Sequence, residues 1–220
     1  MERIGIIGVG LVGTAIAERL LSAGYGVIGY DIHSEQLRKL EELGGDAACC
    51  AATVASSCDR VVLSLPTSGI AADVIAEIRS KLRSGALVVD TTTGAPEDAV
   101  RLAGTLSESG VDYVDATVGG SSRQVSQREA IIICGGTENA FARCDDLFEQ
   151  CCKKAFLVGP SGSGARMKLV LNLVLGLNRR CWRKVWNLRA RQVSIRGWRW
   201  RFSRQALRTL VQWTQRAPVC

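Results

Sequence analysis

The stretch RIGIIGVGLVGTAIAERL, Arg3 to Leu20, constrains this chain more than any other. A β-branched run turns at glycines and passes at once into the apolar spacing of a helix. Gly8, Gly10 and Gly13 stand in G-x-G-x-x-G register across that junction. Each has a physical use there. Gly8 allows a tight turn, Gly10 lets backbone approach a pyrophosphate, and Gly13 lets the helix pack closely on the sheet. The amides that open the helix, at Leu11 and Val12, face the negative charge so held. A glycine triplet alone is weak evidence, but here the strand–turn–helix context agrees with it. Asp31 ends the second strand, 23 residues after Gly8. A carboxylate there accepts both ribose hydroxyls of an adenosine and repels a 2′-phosphate, so NAD is expected in preference to NADP. No second feature points to FAD.

The same alternation runs on through the body of the chain. GVIGYD, RVVLSL, ALVVD, VDYVDATV, AIIICGG and AFLVG read as strands. Between them SEQLRKLEEL, GIAADVIAEIRSKL, PEDAVRLAGTLSES and ENAFARCDDLFEQ read as helices, with Ser34 as an N-cap and Pro96 at a helix start. Apolar strands alternating with amphipathic helices form βαβ units and a sheet buried on both faces. The expected fold is α/β, a Rossmann-type doubly wound and mostly parallel sheet over residues 1–160. A further helix begins near Ser163, SGARMKLVLNLVLGLN, apolar on most sides and expected to be deeply buried.

Charge divides the chain differently. The formal net charge is +7, yet residues beyond Leu177 hold 12 of the 28 basic side chains, none of the 21 acidic ones and all five tryptophans. The body is mildly acidic, so basicity overall is no argument for nucleic-acid or membrane binding by the body. Nine cysteines form no C-x-x-C pair, and Cys49–Cys50 and Cys151–Cys152 are adjacent, which suits neither a disulfide framework nor a zinc site. They read as small buried side chains of a reducing cytoplasm. His33 is the only histidine, which excludes a His-based triad, and no metal site is expected. The N-terminus lacks the basic start of a signal peptide, and no stretch has the length of a clean membrane span.

A second chemical signal lies in GPSGSGARMKLVLN. Gly159, Gly162 and Gly164 give a flexible approach to a helix on which Lys168 and Asn172 stand at i and i+4, on one face. An ammonium beside an amide suits a substrate with a hydroxyl and a carboxylate, and a lysine can exchange the hydroxyl proton during hydride transfer. A surface lysine is the bland alternative; the glycines and apolar surroundings argue against it.

From Met1 to about Arg179 these motifs resemble, in order, the β-hydroxyacid dehydrogenases, the group of 3-hydroxyisobutyrate dehydrogenase with 6-phosphogluconate dehydrogenase as a more distant cousin. IGIIGVGLVG is similar to that family's cofactor fingerprint. LSLPTS resembles the loop where Leu65 and Pro66 would lie along the cofactor, and VVDTTT the segment whose last hydroxyl, Thr93, would lie near the nicotinamide. GPSGSGARMKLVLN matches G-x-x-G-x-G-x-x-x-K-x-x-x-N at every fixed position. The resemblance makes Lys168 the implied acid/base and Asn172 its partner or a substrate contact. It also implies NAD-linked oxidation of a small 3-hydroxy acid, while a cytoplasmic location is expected from the N-terminus and the lack of a membrane span. One motif departs: where the family reads D-x-P-V-S-G-G this chain has DATVGGS, keeping Asp115, Val118 and Gly120 but placing Thr117, Gly119 and Ser121 at the other positions. Gly119, Gly120 and Ser121 remain the implied substrate loop, with substrate identity open. An imine or aldehyde reductase on the same scaffold, or a cofactor-binding remnant without turnover, are the alternatives.

After Arg179 the resemblance stops. The family continues from residues 161–179 into an all-helical domain that closes the site and forms its dimer or tetramer, whereas residues 180–220 are rich in Arg and Trp. Tryptophan has one codon, so shifting the frame to a codon's third base forces each Trp-Arg pair to become Leu, Val or Met followed by Ala or Glu. With permitted codons elsewhere, the segment from Arg180 then reads LLAEGLESARKAGFHPGVALAVLPAG, which resembles the family's helical domain. An out-of-frame tail is therefore expected, with loss of the oligomer surface and weak turnover. The competing expectation is a basic aromatic arm for nucleic acid.

Overall fold

The computed structural model describes the backbone of residues 2–191 and side chains as far as residue 184. Strand β1 (Arg3–Ile7) leads into α1 (Leu11–Ser22), β2 (Gly26–Tyr30) into α2 (Ser34–Glu42), and the two-residue β3 (Asp46–Ala47) into α3 (Ala51–Ser57). Strand β4 (Arg60–Leu63) is followed by α4 (Ser68–Ile78), and β5 (Leu87–Asp90) by α5 (Pro96–Ser107). Then come β6 (Asp112–Gly119), α6 (Ser122–Ser126), β7 (Ile131–Gly135), α7 (Glu138–Ala142), α8 (Asp145–Cys151), β8 (Lys154–Leu157) and α9 (Ser163–Arg191).

The strands form one sheet in the order β3-β2-β1-β4-β5-β6-β7-β8, parallel throughout except for the β6–β7 pair. The chain steps outward from β1 in both directions, so a crevice opens between β1 and β4 at the carboxyl ends of the strands. Alternate residues supply two cores. Ile4, Ile6, Val62, Leu87 and Val89 pack on one face with Leu20 of α1 and Leu40 of α2. Ile7, Val61, Leu63 and Val88 pack on the other with Val54, Ile75 and Leu102. The period of two on an apolar run is what a sheet covered on both faces demands.

The doubly wound expectation holds, with local differences. Strand β3, helix α3 and helix α6 are too short to show a period in sequence. The single helix expected over ENAFARCDDLFEQ is two, α7 ending at its C-cap Arg143 and α8 starting after Cys144; the Arg143 guanidinium pairs with the Asp112 carboxylate and the Gly85 carbonyl. Five cysteines are buried as expected, but Cys49 and Cys181 are exposed and Cys50 is half-buried. Among the described residues there is no cluster of metal-ligating side chains, and no helix is long and apolar enough to cross a membrane.

Compact packing divides the chain into residues 1–173 and 174–220. In the first unit, α9 is covered only over its opening turn, where Gly164 and Ala165 are buried. The expected deep burial of this helix is not found: Leu169, Val170 and Leu173 are exposed, as are Val174, Leu175 and Leu177 beyond them. Beyond that turn Arg166 and Met167 are already exposed, and Lys168 is the last residue of α9 with a hydrogen bond to the sheet among the described residues. Helix α9 continues through Arg180 to Arg191. The expectation of an out-of-frame tail, or of a nucleic-acid arm, falls mostly on residues 192–220, outside the described residues.

Candidate active site

Sequence places three glycines at the turn after β1, and the structure shows what each does. Gly8 has φ +91°, and a Cβ there would lie 2.3 Å from the Ser64 carbonyl oxygen, so no other residue fits both the turn and its neighbour. A Cβ on Gly13 would lie 2.0 Å from the Gly8 carbonyl oxygen, which makes it the point of closest approach between α1 and the turn. At Gly10 a Cβ would meet nothing within 4 Å. Gly10 is also the N-cap of α1, with no side-chain cap and no acidic residue in the first turn. The amides of Leu11 and Val12 therefore begin a helix whose positive end faces open space. Leu11 is fully exposed beside it, and Val12 is half-buried.

Asp31 braces this turn from β2. One carboxylate oxygen accepts the Val9 N–H at 2.8 Å and the other the His33 N–H at 2.9 Å. Each oxygen keeps lone pairs for further donors. Thr14 Oγ1 donates to the Val9 carbonyl at 2.9 Å and ties the turn to α1. An uncapped helix start, a bare Gly10 and a braced carboxylate at the end of β2 together fit a nicotinamide dinucleotide, the first two for its pyrophosphate and the last for its ribose.

Across the crevice, Leu65 is half-buried and Pro66 exposed at the exit of β4. The Leu65 N–H donates to Thr92 Oγ1 at 3.2 Å, so the loops after β4 and β5 are joined. Thr91 and Thr92 are buried and Thr93 is exposed at the rim. Beneath them lies a buried acid that sequence reading did not single out: Asp90 accepts the Thr92 N–H and the Tyr113 hydroxyl, each at 2.9 Å. Burial pushes its carboxyl upward and pushes the Tyr113 phenol well above its ordinary range.

Strand β6 lies next to β5, with Asp90 and Asp115 in register. Val118 and Gly119 therefore reach beyond the end of β5, on the same edge as Thr91–Thr93. Lys168 comes to this edge from α9 and donates through Nζ to the Val118 carbonyl at 2.5 Å. It is half-buried, and desolvation lowers its proton affinity below the ordinary lysine range. Gly119 is half-buried, while Gly120 and Ser121 are exposed. Ser121 also has a local task, since its backbone and side chain form a capping box with Gln124 at the start of α6. Asn172 is exposed, and among the described residues no hydrogen bond joins it to Lys168. The lysine turns inward to β6 while the asparagine one turn on stays in solvent. The structure thus gathers Lys168 and Gly119–Ser121 around Val118, and Gly8–Gly13 with Asp31 around the β1–β4 crevice, all at the carboxyl edge of one sheet.

Residues 3–159 match the family described as the NAD binding domain of 6-phosphogluconate dehydrogenase. The 2-(hydroxymethyl)glutarate dehydrogenase of Eubacterium barkeri is 30% identical over 179 residues, 80% of this chain and 60% of that protein. The mitochondrial 3-hydroxyisobutyrate dehydrogenase of Mus musculus is 29% identical over 178 residues, 80% of this chain and 53% of that protein. The chain thus spans somewhat more than half the length of these curated relatives. Among solved structures, a Mycobacterium tuberculosis 3-hydroxyisobutyrate dehydrogenase with L-serine superposes with a TM-score of 0.85 at 22% identity, over 100% of this chain and 72% of that one, a likeness of fold.

Proposed function

The chain belongs to the family of the NAD binding domain of 6-phosphogluconate dehydrogenase, and from that membership we propose that it takes part in NAD-linked oxidation of a small 3-hydroxy acid. The observation that carries the reading is the placement of Lys168. It is a half-buried amine of lowered proton affinity, held on the Val118 carbonyl at the sheet edge that also bears the dinucleotide cradle.

Bound NAD supplies the acceptor for the hydride that leaves the substrate carbinol carbon. The chain's own residues do the rest. Gly10 and the α1 amides hold the pyrophosphate, and Asp31 takes the ribose hydroxyls and disfavours a 2′-phosphate. Thr93, Leu65 and Pro66 line the cofactor's path. Lys168, as the free amine, takes the hydroxyl proton as the carbonyl forms, and burial raises the fraction of free amine near neutral pH. Gly119, Gly120 and Ser121 offer backbone and hydroxyl donors to the substrate carboxylate, with Asn172 a further polar contact at the mouth. The partner implied is a small hydroxyacid, in a reducing cytoplasm where the five buried thiols serve as small apolar side chains.

Calorimetric titration with NAD and NADP, followed by assay against a panel of 3-hydroxy acids, tests this. NAD should bind more tightly than NADP, and Asp31→Asn should narrow the gap. Absence of dinucleotide binding would sink the reading; binding without oxidation of any hydroxyacid would reduce it to cofactor binding.

A further inference from the structure

Asp115 is 3% exposed and has no place in the hydride-transfer chemistry above. Its two carboxylate oxygens point at the start of α9. One accepts the Gly162 N–H at 2.8 Å and the other the Ala165 N–H at 2.8 Å. These are among the amides that a helix start leaves without partners. The carboxylate is an N-cap delivered from a neighbouring strand, 47 and 50 residues away in sequence.

Strand β6 grips the same helix at two further points. Thr117 Oγ1, whose nearer acceptor is the Ile133 carbonyl at 3.2 Å, lies 3.4 Å from the Gly164 carbonyl oxygen, and the Val118 carbonyl accepts Lys168 Nζ. Asp115, Thr117 and Val118 thus meet Ala165, Gly164 and Lys168 along one line of contact. The approach is so close that two glycines are required. A Cβ on Gly164 would lie 2.7 Å from both the carbonyl oxygen and a carboxylate oxygen of Asp115, and a Cβ on Gly135 would lie 2.5 Å from the other carboxylate oxygen.

We infer that Asp115 is a positioning residue for Lys168: by capping the first turn of α9 it fixes the one register of helix on strand that brings the lysine Nζ to the Val118 carbonyl. The inference rests on the acid/base role of Lys168 proposed above. It acts through geometry rather than through charge, since burial alone accounts for the lowered proton affinity of Lys168. The groups that face Asp115 are Asp90, the Tyr113 phenol and the two α9 amides, and burial raises its own carboxyl to about 6. Near neutral pH it is therefore the anion that a helix start favours.

The test reads the lysine without any turnover. The chain is labelled with acetic anhydride across a pH series, and acetylation of Lys168 is measured by mass spectrometry with exposed Lys81 as internal reference. The unaltered chain should give a labelling midpoint for Lys168 below that of Lys81. Asp115→Asn should raise it by half a unit or more, as the loosened helix lets water reach the ammonium. Gly164→Ala, which keeps the carboxylate but wedges the helix off it, should do the same and serves if the first variant does not fold. Leu20→Ala, a cavity in the core on the opposite face of the sheet, should leave the midpoint in place. An unmoved midpoint in the first two variants, or an equal shift in the third, overturns the inference. Should hydroxyacid oxidation fail while the midpoint moves, the functional reading falls and the positioning stands; lysine-dependent oxidation with an immobile midpoint is the reverse.

Discussion

Two helices of this protein begin at the active edge, and their first turns are opposites. Helix α1 starts at Gly10 with no side-chain cap, no acidic residue in its first turn and open space at Gly10, and the nearby Asp31 carboxylate takes the Val9 N–H just before it. Helix α9 starts against the buried carboxylate of Asp115, which takes its amides at 2.8 Å. Both present the same partial positive charge. One is satisfied from inside the protein; the other stays open, as the pyrophosphate site proposed above requires. The two starts differ in what an internal carboxylate reaches: Asp115 takes amides at the start of α9, while Asp31 takes the Val9 N–H and stops short of the amides of α1.

The largest expected effect divides the two halves by function. Lys168→Met should lower turnover on a 3-hydroxy acid by about 100- to 10,000-fold, the usual worth of a positioned acid/base. Dinucleotide affinity should hardly change, because the lysine reaches from α9 to the β6 carbonyl of Val118 and not to the α1 cradle. Loss of both together would mean that the halves are not independent.

A change at the far end of the sheet comes next. Arg60 begins β4 and is buried between the carboxylates of Glu2 and Asp146. Arg60→Met should cost about 3 kcal/mol, the low end for a broken buried pair because both carboxylates are half-exposed. Urea unfolding reads the loss; NAD affinity of the folded fraction should be untouched, and a matching loss of affinity would show that the cradle depends on that distant network.

Gly13→Ala attacks the cradle itself. Its Cβ would press on the Gly8 carbonyl oxygen, at a cost of about 1–3 kcal/mol and a clear weakening of NAD binding. Calorimetry showing undiminished binding would mean that α1 does not need so close an approach.

The smallest effect is one of pH. The folded Asp115 carboxyl is raised to about 6 from an ordinary 3.8. The folded state therefore holds this proton more tightly than the unfolded chain. Asp115 contributes most to stability below pH 4, and that contribution is lost as pH rises toward 6. Thermal unfolding from pH 4 to 7 should show this downward component in the unaltered chain and not in Asp115→Asn. Equal slopes in both would refute the assignment of that proton to Asp115.

The cofactor half was legible in sequence because its parts are close together. Gly8, Gly10 and Gly13 fall within six residues of one strand–turn–helix junction, and the turn chemistry that each position demands is local. Lys168 was legible as a residue type in a glycine-led helix. Its inward turn was not, since i,i+4 spacing placed it with Asn172 while the structure gives it to Val118. Asp115 stood in a motif but showed no task, because the amides it caps come 47 residues later. Helix α9 was misjudged for a related reason. Apolar composition announces a need for cover, and composition alone does not say which strand supplies it or where that strand ends.

The long reach from Asp115 to Gly162 also sets an order in time. During synthesis at ordinary translation rates, on the order of 2–10 s pass between the making of these two residues. Through that interval the glycine turn, α1 and the first five strands of the sheet already exist as chain, while Asp115 is a carboxylate still in water. The helix that carries Lys168 is the last described part to be made, so a nascent chain carries the glycine turn and Asp31 before it carries the proposed acid/base.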